Sequence, residues 1–166
     1  MKFINKIILR IFKKGYELYW KSIYNSYREK YTLHPSFKFN GTNILMYGDG
    51  EIQCGESSYV GHYSTIQSSK KYKVNIGHHT SISHNVRIYT SSAIPDQDFM
   101  QDTLLSKQGD VTIGNGVWIG ANTFINPGII IEDNSIIGAN SVVTKNVEKN
   151  SIVGGVPAKL IRYKKI

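Results

Sequence analysis

Residues 113–148, IGNGVWIGANTFINPGIIIEDNSIIGANSVVTKNVE, repeat a pattern of six. The aliphatic residues at every sixth position are Ile113, Ile119, Ile125, Ile131, Ile137 and Val143. A period of six fits neither an amphipathic helix nor an alternating strand. It predicts a parallel β-helix, in which each hexapeptide forms a short strand and a turn, and three hexapeptides close one triangular coil. These six hexapeptides therefore predict two coils with the aliphatic side chains inside.

Turn-forming residues follow the inward positions. The expected corner residues are Gly114, Gly120 and Gly138, together with Asn115, Asn134 and Asn140. Glycine lets the chain turn without a steric penalty, and asparagine tolerates left-handed backbone. Both sets support the β-helix interpretation.

The repeat and the segment after it resemble a known family. Residues 113–147, followed by IVGGVPAKLIR at residues 152–162, are similar to the left-handed β-helix acyltransferases, in particular the acetyl-CoA-dependent sugar O-acetyltransferases that work as trimers. The resemblance covers residues 50–162 and implies an all-β left-handed parallel β-helix of hexapeptide repeats. We expect this domain at residues 36–162, after a basic helical region at 1–35 and before a tail at 163–166.

Composition argues against other classes of function. The net charge is +8, but residues 1–30 hold eight Lys and Arg side chains against two Glu, and the rest is close to neutral. No nucleic-acid motif accompanies this charge, so nucleic acid is not an expected partner. The single cysteine, Cys54, forbids an internal disulfide and suits a reducing, cytoplasmic location. It stands at an inward hexapeptide position, which favours core packing over a role as nucleophile.

The N-terminal region is predicted to form a basic amphipathic helix. Apolar residues from Phe3 to Tyr27 recur at helical spacing for some seven turns, interrupted only by Gly15. Arg10 and other polar residues break the apolar run, so neither a transmembrane segment nor a signal peptide is expected. Two partners fit this apolar stripe. One is the inner, anionic surface of a membrane, and the other is the protein itself, either the β-helix or a neighbouring subunit. His34-Pro35 is expected to end the helical region.

The earlier repeats can be stacked by arithmetic. Their inward residues are Cys54, Val60 and Ile66 on one coil and Ile76, Ile82 and Ile88 on the next. Two insertions interrupt the series, a corner loop at residues 68–73 and a long protruding loop at about residues 92–110. Long loops in compact folds are commonly functional, and the family resemblance implies that this one helps to wall the acceptor site.

Residues two places after the stacked positions form one edge of the prism. The predicted column is His62, His84, Ala121, Ala139 and Pro157. An extended pantetheine arm needs such an edge, with small groups along its length and a base at its thioester end. The column therefore predicts where acetyl-CoA lies.

The family resemblance implies roles for further residues. Positions that contact the cofactor correspond here to Ala121, Ala139, Thr144, Lys145, Lys159 and Arg162. The three cations among them would meet the adenosine phosphates. Trp118 is predicted to point outward, where its ring would hold a sugar or the pantetheine.

His84, in SISHNVRI, is the predicted general base. Transfer of acetyl to a hydroxyl needs a group that takes the hydroxyl proton, and imidazole is suited to this near neutral pH. Asn85, and Asp96 or Asp98 from the long loop, are candidates for orienting His84 or for contacting the acceptor. His62 either binds the acceptor or caps a corner.

The overall prediction is a cytoplasmic homotrimer that transfers acetyl from acetyl-CoA to a sugar hydroxyl in surface-polysaccharide synthesis, without a metal. An N-acetyltransferase acting on an amino sugar stays open, because a histidine inside the coil also resembles that branch. A γ-class carbonic anhydrase is a distant alternative, since Tyr89 stands where a second zinc histidine is required. A non-enzymatic scaffold is the remaining alternative.

Overall fold

A computed structural model describes residues 2–165. Met1 and Ile166, the ends of the predicted helical region and tail, lie outside the described residues, as do the side chains of Lys2 and Phe3. Within residues 2–165, one helix, α1 (Lys2–Lys30), precedes nineteen short strands. The strands are β1 (Thr32–Leu33), β2 (Lys38–Asn40), β3 (Leu45–Tyr47), β4 (Glu51–Cys54), β5 (Tyr59–Gly61), β6 (Thr65–Gln67), β7 (Lys73–Ile76), β8 (Ser81–Ile82), β9 (Arg87–Tyr89), β10 (Ser91–Ala93), β11 (Ser106–Gln108), β12 (Val111–Ile113), β13 (Trp118–Ile119), β14 (Phe124–Ile125), β15 (Ile130–Ile131), β16 (Ile136–Ile137), β17 (Val142–Val143), β18 (Ser151–Gly155) and β19 (Ala158–Tyr163).

The strands form the three faces of a left-handed parallel β-helix, as predicted. Face 1 contains β1, β4, β7, β12 and β15; face 2 contains β2, β5, β8, β13, β16, β18 and β19; face 3 contains β3, β6, β9, β14 and β17. All these pairings are parallel except that of β19, which returns antiparallel on β18. Every third strand of the coil series therefore stacks on the same face.

The inward aliphatic residues form a single core along the axis. Ile82, Ile119 and Ile125 are fully buried, like most residues at the repeating position. Burial of one such side chain contributes about 1.5–3 kcal/mol, so the inward residues stabilise every coil. Cys54 is also buried in this core, as predicted, and burial raises the pKa of its thiol.

The predicted stacking is confirmed over most of the chain. Val60 pairs with Ile82, Ile82 with Ile119, and Ile119 with Ile137. The last coil is shorter than predicted, because Ile137 pairs with Val153 rather than with a residue eighteen positions later.

The shortening lies at the corner after Val143. Val147 already bridges to Ile131, so four residues separate two inward positions where six were expected. The residue that stacks on Ala139 is consequently Gly155, and the predicted place of Pro157 in the edge column is wrong. Pro157 instead lies in the connection between β18 and β19.

The corner residues were predicted correctly in part. Asn134 and Asn140 have positive φ, but Asn115 does not, and Gly116 takes that conformation instead. Gly120 does not turn the chain by positive φ; a Cβ there would lie 2.5 Å from the backbone nitrogen of Ala139. This glycine is required by the close approach of the next coil.

Helix α1 lies across the N-terminal end of the β-helix and covers its first coil. Tyr24 stacks on Phe39 with ring centroids 4.2 Å apart, and its hydroxyl donates to the carbonyl of Gly41 at 2.8 Å. Arg28 donates to the carbonyl of Phe37, and Lys30 donates to that of Gly48. The helix thus satisfies backbone groups of the first coil that have no coil beneath them.

The boundary between helix and β-helix shifts from the predicted one. The helix ends at Lys30, and β1 at Thr32–Leu33 already pairs with β4. The β-helix therefore begins four residues before residue 36. Within the described residues, no helix combines the length and apolar character needed to cross a bilayer.

The long loop contains structure of its own. Strands β10 and β11 pair antiparallel, and the side chain of Gln97 bonds to the backbone of Ile94 and Leu105. The loop leaves after β9 on face 3 and returns to β12 on face 1. We call the corner between these two faces the loop edge.

Candidate active site along one edge of the β-helix

The corner between faces 2 and 3 carries both histidines of the predicted column; we call it the histidine edge. From the N-terminal end its residues are Gly41, His62, His84, Ala121, Ala139 and Gly155. Coils are about 4.8 Å apart, so the groove of small residues from His84 to Gly155 extends about 14 Å along the axis. The edge offers two imidazoles near one end and small residues beyond them.

The two imidazole rings lie against each other and against glycines. The ring centroids of His62 and His84 are 5.5 Å apart. A Cβ on Gly41 would lie 2.3 Å from the ring of His62, and a Cβ on Gly61 would lie 2.8 Å from Nδ1 of His84. Both rings therefore occupy space that only a glycine leaves open.

The hydrogen bonds of His62 define its neutral tautomer. Its Nδ1 accepts from the backbone N–H of Thr42 at 2.9 Å, so in the neutral ring the proton is on Nε2. His84 is exposed on the surface, where a substrate has access to it. One histidine is fixed by the coil below it, and the other faces solvent.

Asn85 is engaged away from His84. Its side-chain amide donates to Oδ1 of Asn122 at 2.8 Å, and Asn122 in turn donates to Oδ1 of Asn140 at 3.0 Å. Nη1 of Arg87 donates to Oδ1 of Asn85 at 2.6 Å. Asn85 therefore supports the corner as part of an asparagine ladder, and these bonds do not orient the imidazole as the sequence suggested.

The predicted cofactor residues divide between two edges and the C-terminal end. Ala121 and Ala139 lie on the histidine edge, while Thr144 and Lys145 follow β17 on the loop edge. Trp118 is 54% exposed on face 2, beside Ser81 and Ile136, and its outward direction is as predicted.

Two of the predicted cations share one cleft. Lys145 and Lys159 line a cavity of about 290 Å³ at the C-terminal end, together with Glu148 and Tyr163. The hydroxyl of Tyr163 donates to the carboxylate of Glu148, and this bond raises the pKa of the tyrosine. Arg162 lies outside this cleft, beside Ile136 and Ile152 on face 2.

The two loop aspartates are rooted at a different edge from His84. His84 precedes β9, whereas the loop that carries Asp96 and Asp98 follows it, so face 3 separates the two roots. The carboxylate of Asp98 accepts from the side chain of Gln101 and the backbone of Met100, both at 3.0 Å. These bonds lower the pKa of Asp98. Asp96 is exposed.

Some contributing residues were not found from the sequence. Gly61 gives space to His84, Thr42 fixes His62, and Arg87 holds the asparagine ladder. The register arithmetic could have placed Gly61 directly beneath Ser83. Among residues 2–165, no three His, Cys, Asp or Glu side chains cluster closely enough to hold a metal ion.

The chain is similar to known proteins over this same region. Residues 110–145 match a family model described as bacterial transferase hexapeptide (six repeats). Galactoside O-acetyltransferase of Escherichia coli K12 is 38% identical over 116 residues, which are 67% of this chain and 53% of that protein. A putative acetyltransferase of Saccharomyces cerevisiae is 33% identical over 143 residues, which are 86% of this chain and 67% of that protein. The chain thus spans about half the length of the first of these relatives.

A solved structure supports the same relationship. A hexapeptide-repeat acetyltransferase of Vibrio cholerae, in complex with acetyl coenzyme A, has a TM-score of 0.72 and 26% identity to this chain. The superposition covers 86% of this chain and 76% of the other. Since the yeast relative is matched over two thirds of its own length and the β-helix carries the repeats, this chain belongs to the hexapeptide-repeat acyltransferase family.

Proposed function

We propose that this protein is an acetyl-CoA-dependent O-acetyltransferase that acts on a sugar hydroxyl. The observation that supports it most directly is the histidine edge, where an exposed imidazole stands at the end of a groove lined by Ala121, Ala139 and Gly155. Such a groove accommodates a thin, extended ligand arm such as pantetheine. One relative named above is a galactoside O-acetyltransferase, and the Vibrio cholerae structure contains acetyl coenzyme A, which agrees with this proposal.

His84 acts as the general base in this proposal. It takes the proton of the acceptor hydroxyl while the oxygen attacks the thioester carbonyl; the new C–O bond forms, the C–S bond breaks, and the coenzyme leaves as a thiol. An imidazole is suited to this proton transfer near neutral pH. No acyl-enzyme is needed, because both substrates are held together at one edge.

A homotrimer is part of the proposal, because the candidate residues lie at two edges. His84 and the small residues belong to the histidine edge, whereas Lys145, Asp96 and Asp98 are rooted at or near the loop edge. Face 3 separates these sets on one chain. A cyclic assembly that places the loop edge of one copy beside the histidine edge of the next unites them in one site.

An amino-sugar N-acetyltransferase is the second candidate. The observation that favours it is the position of His84 within a coil rather than on the long loop. An amine acceptor must also lose a proton, so the base alone does not distinguish the two reactions. We place either reaction in the cytoplasm, and we favour a surface polysaccharide or its precursor as the acceptor.

The test is release of free thiol from acetyl-CoA with a panel of saccharides, some with and some without free amino groups. We expect acceptor-dependent turnover that falls about a hundredfold or more in His84→Ala, the range for loss of a general base. His78→Ala, at an exposed histidine on a different corner, is the matched control and keeps the wild-type rate. Equal activity of the two variants would contradict the role of His84, and turnover confined to amino sugars would favour N-acetylation.

A further inference from the structure

The N-terminal half of α1 has an apolar stripe that faces away from the β-helix. The C-terminal half packs on the first coil through Trp20, Tyr24, Tyr27 and Tyr31. Ile11 stands nine residues before Trp20, which places it about 180° away around the helix, and it is 66% exposed. The exposed residues on this opposite side are Ile4, Ile7, Ile8, Ile11 and Leu18, which we call the outer stripe.

This geometry separates two apolar stripes that look continuous in the sequence. One stripe packs on the β-helix, and the outer stripe points along the axis away from it. The chain's own β-helix therefore cannot cover the outer stripe. We therefore expect another partner to cover the outer stripe. Its five large aliphatic side chains on one helix face form an apolar patch of the kind that marks interaction sites.

Cations flank the outer stripe along one side. At about 100° per residue, Lys14, Lys21 and Arg10 lie about 60°, 80° and 100° from Ile11, whereas Lys6 and Lys13 lie on the side of Trp20. Within residues 4–21, the exposed basic side chains are Lys6, Arg10, Lys13, Lys14 and Lys21, and the one acidic side chain is Glu17. A second copy of this helix would bring two sets of like charges together at an apolar contact, which is unfavourable. A surface of anionic lipid headgroups attracts the same cations and receives the apolar residues between them.

We propose that the outer stripe and its flanking cations dock this protein on an anionic lipid bilayer. Helix α1 then lies flat in the interface, with the outer stripe toward the acyl chains. The β-helix stands on the water side, because the seam formed by Trp20 and Tyr24 is on the opposite face of the helix. Tyr19, 58% exposed beside the outer stripe, lies at headgroup depth, where tyrosine is favoured.

The docked orientation has a consequence for the acceptor, which rests on the proposed function. His84 lies two coil spacings, or about 10 Å, beyond Gly41 in the coil that α1 covers. With the helix diameter of about 10 Å added, His84 stands about 20 Å from the bilayer. The groove toward Lys145 and Lys159 extends away from the lipid. A lipid-linked saccharide thus reaches the base from the membrane side, and acetyl-CoA reaches it from the water side.

The test is co-sedimentation of the full chain with vesicles. One set contains phosphatidylcholine alone, and the other contains roughly one third phosphatidylglycerol to supply negative charge. We expect the protein to sediment with the anionic vesicles and to be released in part by high salt, which screens the attraction. Wild-type protein that stays in the supernatant with both sets, or binds both equally, would overturn the proposal.

Paired substitutions on one helix test the direction of the stripe. Ile11→Ser removes an apolar group from the outer stripe, and we expect it to lower binding to anionic vesicles about fivefold or more. Leu9→Ser is the matched control: Leu9 is 68% exposed but lies on the opposite side of the helix, so its binding stays at the wild-type level. Equal loss in both variants would show that the outer stripe is not the contact.

A second pair tests the cations. Arg10→Gln with Lys14→Gln, which border the outer stripe, is expected to weaken binding to anionic vesicles, whereas Lys149→Gln with Lys165→Gln, at the far end of the molecule, is not. If Ile11→Ser instead lowers the mass of the assembly without vesicles, the stripe contacts another copy and the proposal fails. Thiol release on a soluble saccharide is measured with the same protein preparations. Wild-type protein that binds anionic vesicles but releases no thiol would count against the proposed function alone.

Discussion

At the scale of single residues, the site depends on a glycine, which has no Cβ atom. Gly61 lies under His84, and a Cβ there would meet Nδ1 of the imidazole and the backbone of Ser83, each at 2.8 Å. The ring of His84 can lie close to His62 only because this position is glycine. A missing methyl group therefore helps to position the proposed base.

Gly61→Ala is expected to displace the imidazole of His84 and to strain the coil. Overpacking of this kind lowers the free energy of unfolding by about 1–3 kcal/mol, and the turnover of the folded fraction should fall about tenfold or more, within the contribution of a positioned base. Chemical denaturation and thiol-release kinetics measure the two effects.

Gly138→Ala is the control for this substitution. A Cβ at Gly138 meets its nearest atom, the carbonyl oxygen of Val153, at 3.4 Å, which is ordinary contact. Its activity per folded molecule should stay near the wild-type value. If Gly61→Ala is as active as Gly138→Ala, the position of the ring does not depend on this glycine.

The sequence was enough to predict which residues form the core, but not which hydrogen bonds form at the site. Ile119 and Cys54 were placed correctly because a hexapeptide period specifies which side chain points inward. The engagement of Asn85 by Asn122 and Arg87 was missed, because one-dimensional spacing does not show which of several polar neighbours wins a hydrogen bond.

At the scale of elements, α1 holds the first coil through buried tyrosines. Burial raises the pKa of Tyr24 to about 12 from its ordinary value of 10.0. Its hydroxyl also donates to the carbonyl of Gly41 at 2.8 Å, which the ionised form could not do. The contact between helix and β-helix is therefore sensitive to alkaline pH.

The free energy of unfolding is expected to fall as the pH rises from 10 towards 12. In that window the unfolded chain gives up the Tyr24 proton while the folded chain keeps it, so the stability that is fully present below pH 10 is lost as the pH passes the folded value. The loss from this group is about 2 kcal/mol. Urea titrations at several pH values measure it.

Tyr24→Phe should remove much of this pH dependence and, by losing the bond to Gly41, lower stability at neutral pH by about 0.5–1.5 kcal/mol. Tyr19→Phe changes an exposed tyrosine of the same helix and should keep the wild-type slope. An unchanged slope in Tyr24→Phe would show that this hydroxyl does not couple pH to folding.

The existence of α1 could be predicted, but the direction of its faces could not. The apolar residues from Ile4 to Tyr27 satisfy helical spacing throughout, and Gly15 looked like a mere interruption. In the structure the packed side and the exposed side are opposite, as Trp20 and Ile11 show. The periodicity of apolar residues predicts that the helix has an apolar face. Only the packing of the helix on the β-helix shows which of these residues are buried.

At the scale of the whole molecule, the proposed trimer makes each site a product of two chains. His84→Ala and Lys145→Ala should each form a weakly active homotrimer, since one loses the proposed base and the other loses the phosphate contact expected for Lys145. Sedimentation should give a mass three times the 18.7 kDa of one chain for both.

Refolding the two variants together should restore activity. With random mixing, about a quarter of the interfaces join an intact histidine edge to an intact Lys145, and thiol release should recover to about that fraction of the wild-type rate. No recovery in mixed trimers would mean that both residues serve the site from the same chain.

The overall architecture was the most predictable property, and its last coil was the exception. Eighteen-residue stacking fails where Val147 bridges Ile131, because only four residues separate Val147 from the previous inward position. A strict hexapeptide count cannot detect a short corner when valines occupy several neighbouring positions. As a result, the position that stacks on Ala139 was assigned to Pro157, whereas the structure places Gly155 there.

Both ends of the β-helix are covered, and this limits how the protein can associate. A bare end of a parallel solenoid presents unpaired backbone groups, which are a template for another copy of the same chain. Here α1 occupies the first coil through Tyr24 and Arg28, and β19 turns back antiparallel on β18 at the other end. Stacking one β-helix in parallel on the end of another is therefore hindered, because α1 occupies the first coil and an antiparallel strand lies beside β18 at the other end.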